Sequence, residues 1–195
     1  MKYKNWQELQ QSSDLQKVTT LHELRPAADD VLQFTDAEET KEYLAVHGTH
    51  PYGVATEFAF VDPEVLHLLP AVTHGEDMTI FEIDESMLTL QALTLGTGFR
   101  NQLLLHSTYR RVGRFLRELA DTHEGKAPLL SPEDVAFSRD NGKIYLVPPL
   151  IFSDDTHNVD EYVDTFNKGL KKCLLPAWSE QNIVRLTGEV DRGAQ

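Results

Sequence analysis

The sequence of 195 residues has a single cysteine, Cys173, so an internal disulfide framework and any multi-cysteine metal site are excluded. Its apolar runs are short ones such as Leu103-Leu104-Leu105, far below the ~20 residues that cross a bilayer. The start, Met1-Lys2-Tyr3-Lys4-Asn5-Trp6, has no apolar signal core, and a cytoplasmic protein without membrane contact is expected. Glycine is absent before Gly48, which leaves no glycine-rich loop in that stretch to bring backbone N–H groups against phosphates. Bases are scarce where acids are dense: residues 21–90 hold only Arg25 and Lys41 against fifteen Asp and Glu. That local charge of -13 equals the net charge of the whole chain. Such a surface repels a phosphate backbone, so nucleic acid is not an expected partner. It favours a protein partner with a basic surface and hastens their encounter at low salt.

What is present is an ordinary globular balance of 41% hydrophobic and 25% charged residues. Residues 1–17 read as a short helix or arm that packs through Trp6. Val18 to Leu24 and Asp30 to Phe34 are strand candidates interrupted by Arg25-Pro26. Thr35-Asp36-Ala37-Glu38 has the form of a capping box and predicts a helix to about Val46. A helical pattern follows from Gly53 to Leu69, with Asp62-Pro63 as an N-cap and first-turn pair and Pro70 as its stop. Ala71–His74 and Met78–Ile83 predict a hairpin turning at Gly75-Glu76-Asp77.

In the second half, Tyr109, Val112, Phe115, Leu116 and Leu119 recur at helical spacing within 107–124. Val135–Ser138 and Lys143–Val147 predict a hairpin around Asn141-Gly142. A helix over 158–174 carries acids early and lysines late, as its dipole favours, and Cys173 lies on its apolar stripe as a structural thiol. From Thr187 the chain reads as a polar tail. Arg110, Arg111, Arg114 and Arg117, with Arg100 the chain's one basic cluster, fit a solvated helix face near Glu118 and Asp121.

The order of these elements, with Tyr109 to His123 and Leu130 to Val147, resembles the protein-kinase-like superfamily in its small phosphotransferase branch. The resemblance implies a two-lobed α+β fold: an N-terminal lobe over 18–84, a connector at Glu82-Ile83-Asp84-Glu85 and a helical lobe with a β-hairpin over 85–195. In that family the catalytic loop reads roughly His-x-Asp-Leu-x-Pro-x-Asn and the hairpin ends Ile-Asp. Matched to this, Leu130 is the loop leucine, which places Leu129 at the catalytic aspartate and Ala127 at the histidine. Asp134 stands at the metal-binding asparagine, a weak metal ligand by itself, and Pro148 at the second metal-binding aspartate. Gln33 takes the place of the phosphate-binding lysine, and Glu57 that of its glutamate partner, leaving those two as a hydrogen-bonding pair.

The resemblance therefore implies a pseudokinase: Gln33, Glu57, Glu82 and Asp134 line a cleft, while Gln33, Leu129 and Pro148 are degenerate catalytic positions. No cofactor is expected, ATP and Mg²⁺ being poorly served. Phe34, Phe81 and Tyr145 are candidates to fill the nucleotide space. The expected function is regulatory, scaffolding or ligand-binding. The alternatives are a nucleotide-dependent group-transfer enzyme using Glu57, Glu133 or Asp134 as metal ligand or base, and an α+β binding domain unrelated to kinases. His47, His50, His67 and His74 raise a weaker metal-site reading. Ser131 beside Glu133 and Asp134 lacks a nucleophile elbow and reads as a helix start.

Overall fold

The computed structural model describes residues 3–12, 15–17, 23–26, 28–36, 41–48, 67–84, 86–92, 102–122, 128–150, 155–174 and 180–195. Within them the chain is α+β, with two mostly antiparallel sheets and α-helices packed on a shared core. The first sheet has the order β1-β2-β3-β6-β5, formed by β1 (Leu15–Lys17), β2 (Val31–Asp36), β3 (Lys41–His47), β5 (Ala71–His74) and β6 (Met78–Ile83). The second has the order β4-β9-β8-β7, from β4 (His67–Leu68), β7 (Met87–Thr89), β8 (Val135–Ser138) and β9 (Ile144–Leu146). β4 runs parallel to β9, so the second sheet draws on both sides of the connector.

Side chains alternate across the first sheet, and both faces are covered. Leu32, Phe34, Tyr43, Ala45, Met78 and Ile80 point to one face and form a core with Tyr3, Trp6 and Leu9. The last two belong to α1 (Trp6–Gln11), whose start is capped by the Asn5 side chain accepting from Glu8 N at 2.9 Å. The other face presents Val31, Leu44, Val46, Phe81 and Ile83 to the main core. That core continues through the second sheet into α2 (Gln102–Thr122), α3 (Val159–Leu174) and α4 (Glu180–Ala194).

Several expectations are met: the hairpin β5–β6 has the expected bounds, β8 and β9 flank the Asn141-Gly142 turn, α2 buries Tyr109, Val112, Phe115, Leu116 and Leu119, and α3 buries Tyr162, Val163, Phe166 and Leu170. Others are corrected. Residues 41–47 are a strand, not the second half of a helix, because Tyr43, Leu44, Ala45 and Val46 are buried alternately in the two cores. A strand covered on both faces reads as a continuous apolar run, which periodicity cannot separate from a helix. The polar tail is also corrected: residues 180–194 form α4, which inserts Ile183, Leu186 and Val190 into the main core. At the end of the stretch read as a helix or arm, β1 pairs antiparallel with β2. The expected strand from Val18 to Leu24 and helix from Gly53 to Leu69 lie mostly outside the described residues, as do Glu57, His50 and Ala127. Where their ends are described they are corrected: residues 23 and 24 are not in a strand, and His67–Leu68 form β4.

α2 and α4 cross so closely that their backbones touch. A Cβ on Gly113 would stand 2.0 Å from Val190 O, and one on Gly193 2.0 Å from Arg110 O. Only glycine permits that approach on each helix.

Candidate functional site

Arg25, which the sequence shows only as an interruption between strands, organises the cleft between the first sheet and the loop at 128–134. Its Nη2 donates to Asp134 Oδ1 at 2.6 Å, to Val147 O at 2.8 Å and to Pro149 O at 3.3 Å, while Nε donates to Pro148 O at 3.3 Å. The two charged side chains are 13% and 18% exposed, so the pair is largely withdrawn from water. A guanidinium is suited to such a place, since its planar donors serve a carboxylate and several carbonyls together.

Asp134 is fixed from its other side as well. It ends a one-turn 3-10 helix, Pro132–Asp134, and its Oδ2 accepts from Ser131 N at 2.9 Å and Ser131 Oγ at 3.2 Å. Its carbonyl accepts from Val147 N at 2.8 Å, tying the loop to the end of β9. Ser131 is thus a capping residue, which accounts for its proximity to two acids without nucleophilic chemistry.

The cleft of about 420 Å³ beside this pair is lined by Arg25, Asp30, Leu129, Glu133 and Asp134, with Pro26, Val31, Pro128, Pro149 and Leu150 as apolar walls. Leu129 is 39% exposed, an unusual apolar presentation in this chain. Asp30 and Glu133 are exposed and make no side-chain hydrogen bond or ion pair among the described residues. Arg25 and Asp134 neutralise each other, so the free charge of the cleft is negative.

Of the expected cleft residues Asp134 binds Arg25, and of the degenerate catalytic positions the Pro148 carbonyl accepts from Arg25 while Leu129 lines the cleft beside them. Gln33 is buried on the same sheet face as Val31, and its Oε1 accepts from Leu24 N at 2.8 Å, next to Arg25 in the chain. Glu82 is not brought there. It lies on the α1 side of β6, 3.4 Å from Lys41 Nζ, and its N–H donates to Pro70 O at 2.9 Å. Phe81 fills the main core and Phe34 the opposite one, while Tyr145 packs at the core margin near His67.

The connector is pinned rather than open. Asp84 Oδ2 accepts from Ser138 Oγ at 2.5 Å and Ser86 Oγ at 3.0 Å, and Asp84 O accepts from Met87 N at 3.0 Å. Burial would raise the Asp84 carboxyl, but these hydroxyls and the Ser86 N–H outweigh it and hold the group below the usual carboxylate range.

Among the described residues, the donors expected to serve a nucleotide and its metal are already bonded within the chain. Both Asp134 oxygens are engaged, one by a cation, and the Pro148 position offers a carbonyl already bonded to Arg25. Among the described histidines, His47 stacks on Trp6 at 5.1 Å in the first sheet, while His67 lies by Tyr145 in the other sheet. Burial lowers the His67 pKa first, and the nearby Lys143 and Arg111 lower it further, surroundings that would repel a metal ion. Among the described residues no group of three or more His, Cys, Asp or Glu could hold one. No helix among them is long and apolar enough to cross a membrane.

No protein-family model and no curated protein matches the chain.

Proposed function

We propose that the chain is a noncatalytic binding module, a reduced pseudokinase-like protein whose cleft takes a basic segment of a protein partner. The Arg25–Asp134 pair carries this reading. The carboxylate best placed to serve a metal is matched instead to a guanidinium, which also occupies the carbonyls at 147–149. What the cleft still offers is Asp30 and Glu133 as free charges and Leu129 as an apolar foothold. A lysine or arginine of the partner would meet the acids, and its aliphatic stem would lie on Leu129.

The kinase-like part of the proposal is supported by the order of elements. An antiparallel sheet lobe, a short connector, a long helix, a capped loop, a hairpin and further helices follow one another; Leu129 and Asp134 line one cleft, and the Pro148 carbonyl accepts from Arg25 beside it.

The test is the affinity of a Lys- and Arg-rich peptide by fluorescence anisotropy, for the wild type and for Asp30→Asn with Glu133→Gln. We expect the double variant to bind roughly three- to tenfold more weakly, as two exposed ion pairs are lost. Equal affinity in the two proteins would remove the cleft from the account.

A further inference from the structure

A second recess, sharing no residue with the cleft, lies where α2 and α4 cross. It encloses about 460 Å³ and is lined by Arg110, Arg114 and Arg117 of α2 and Arg192 of α4, together with Glu118 and Asp121. The glycine contact at Gly113 and Gly193 brings these two helix surfaces together. Arg117 is committed to holding them: its Nη1 donates to Ala194 O at 3.0 Å and to Gln195 O, and its Nε lies 3.7 Å from Asp121. Arg192 is bonded to Glu189, within α4.

Arg110 and Arg114 are different. Neither side chain makes a hydrogen bond or ion pair among the described residues, although acids are plentiful in this chain. They stand one helical turn apart, so about 6 Å separates their positions along the axis. Two guanidiniums at that spacing match two carboxylates on an acidic segment, at i and i+4 if it is helical or at i and i+2 if extended.

We propose that this recess docks an acidic peptide segment of a partner protein, through carboxylates paired with Arg110 and Arg114. The other polyanion of similar charge spacing, a nucleic acid, is disfavoured by Glu118 and Asp121 in the same recess and by the net charge of -13. A peptide can place separate carboxylates on the two arginines and leave the acids unopposed.

The test uses the full chain, a fluorescent Glu-rich peptide with acids at alternate positions, and a single-stranded oligonucleotide of equal charge. Anisotropy is read for the wild type and for Arg110→Gln with Arg114→Gln, at two salt concentrations, with thermal unfolding of each protein as the folding control. We expect the peptide to bind more tightly than the oligonucleotide, to weaken with salt and to lose roughly tenfold in the double variant. The melting temperature should not move, since neither arginine supports the fold. Failure of the peptide to bind, equal binding by the variant, or preference for the oligonucleotide would each overturn the proposal.

Discussion

Asp134→Asn keeps the shape of the capping residue but leaves Arg25 as a largely buried cation with only carbonyls around it. Breaking one side of such a pair costs more than the pair contributes, and with partial exposure the loss should be about 2–3 kcal/mol. Urea unfolding checks this, and replacing both partners, Arg25→Met with Asp134→Asn, should recover part of the loss. His67 adds a pH dependence. Because its folded pKa is depressed, its share of stability is present above the ordinary value of 6.5 and is lost as the pH falls through the lowered folded value. We expect His67→Gln to flatten stability in that window and to leave it unchanged above neutrality, as read by unfolding midpoints across pH. An identical pH profile for the variant would assign the slope to other groups.

Elements are where the sequence was most and least legible. Tyr109, Val112, Phe115, Leu116 and Leu119 mark α2 because one face of that helix is buried and the other is wet. β5, β6, β8 and β9 were visible because turn residues bound them. β3 was not, since burial on both faces erases alternation, and α4 was not, since its stripe is only Ile183, Leu186 and Val190 among polar residues and glycines. The packing that admits α4 depends on two glycines 80 residues apart, a relation no local window contains. Gly193→Ala should therefore force α2 and α4 apart, with a loss of about 1–3 kcal/mol in chemical unfolding. By contrast Gly188→Ala, where a Cβ meets nothing within 4 Å, should be neutral or stabilising.

At the scale of the whole molecule, the cleft joins distant parts of the chain. Leu129 and Asp134, singled out from one local pattern, line this cleft, and the Pro148 carbonyl accepts from Arg25 beside it. Arg25 was not legible as their partner, because the contact spans 109 residues; the available signal was its rarity, as one of two bases within 21–90. Glu82 was misplaced by the sequence because alternation along β6 turns it to the α1 side, where Lys41 meets it. The acidic half and the arginine recess give the protein two surfaces of opposite sign, and binding at either should weaken with salt. The most direct measurement is the melting temperature of the wild-type protein with a saturating basic peptide and, separately, with millimolar ATP and Mg²⁺. A ligand at 100 times its dissociation constant stabilises the native state by ~2.7 kcal/mol, or about 5–10 °C for a chain of this size. We expect that rise with the peptide and none with the nucleotide. A Mg²⁺-dependent rise with ATP and none with the peptide would contradict a noncatalytic module in which Arg25 stands in the cation's place.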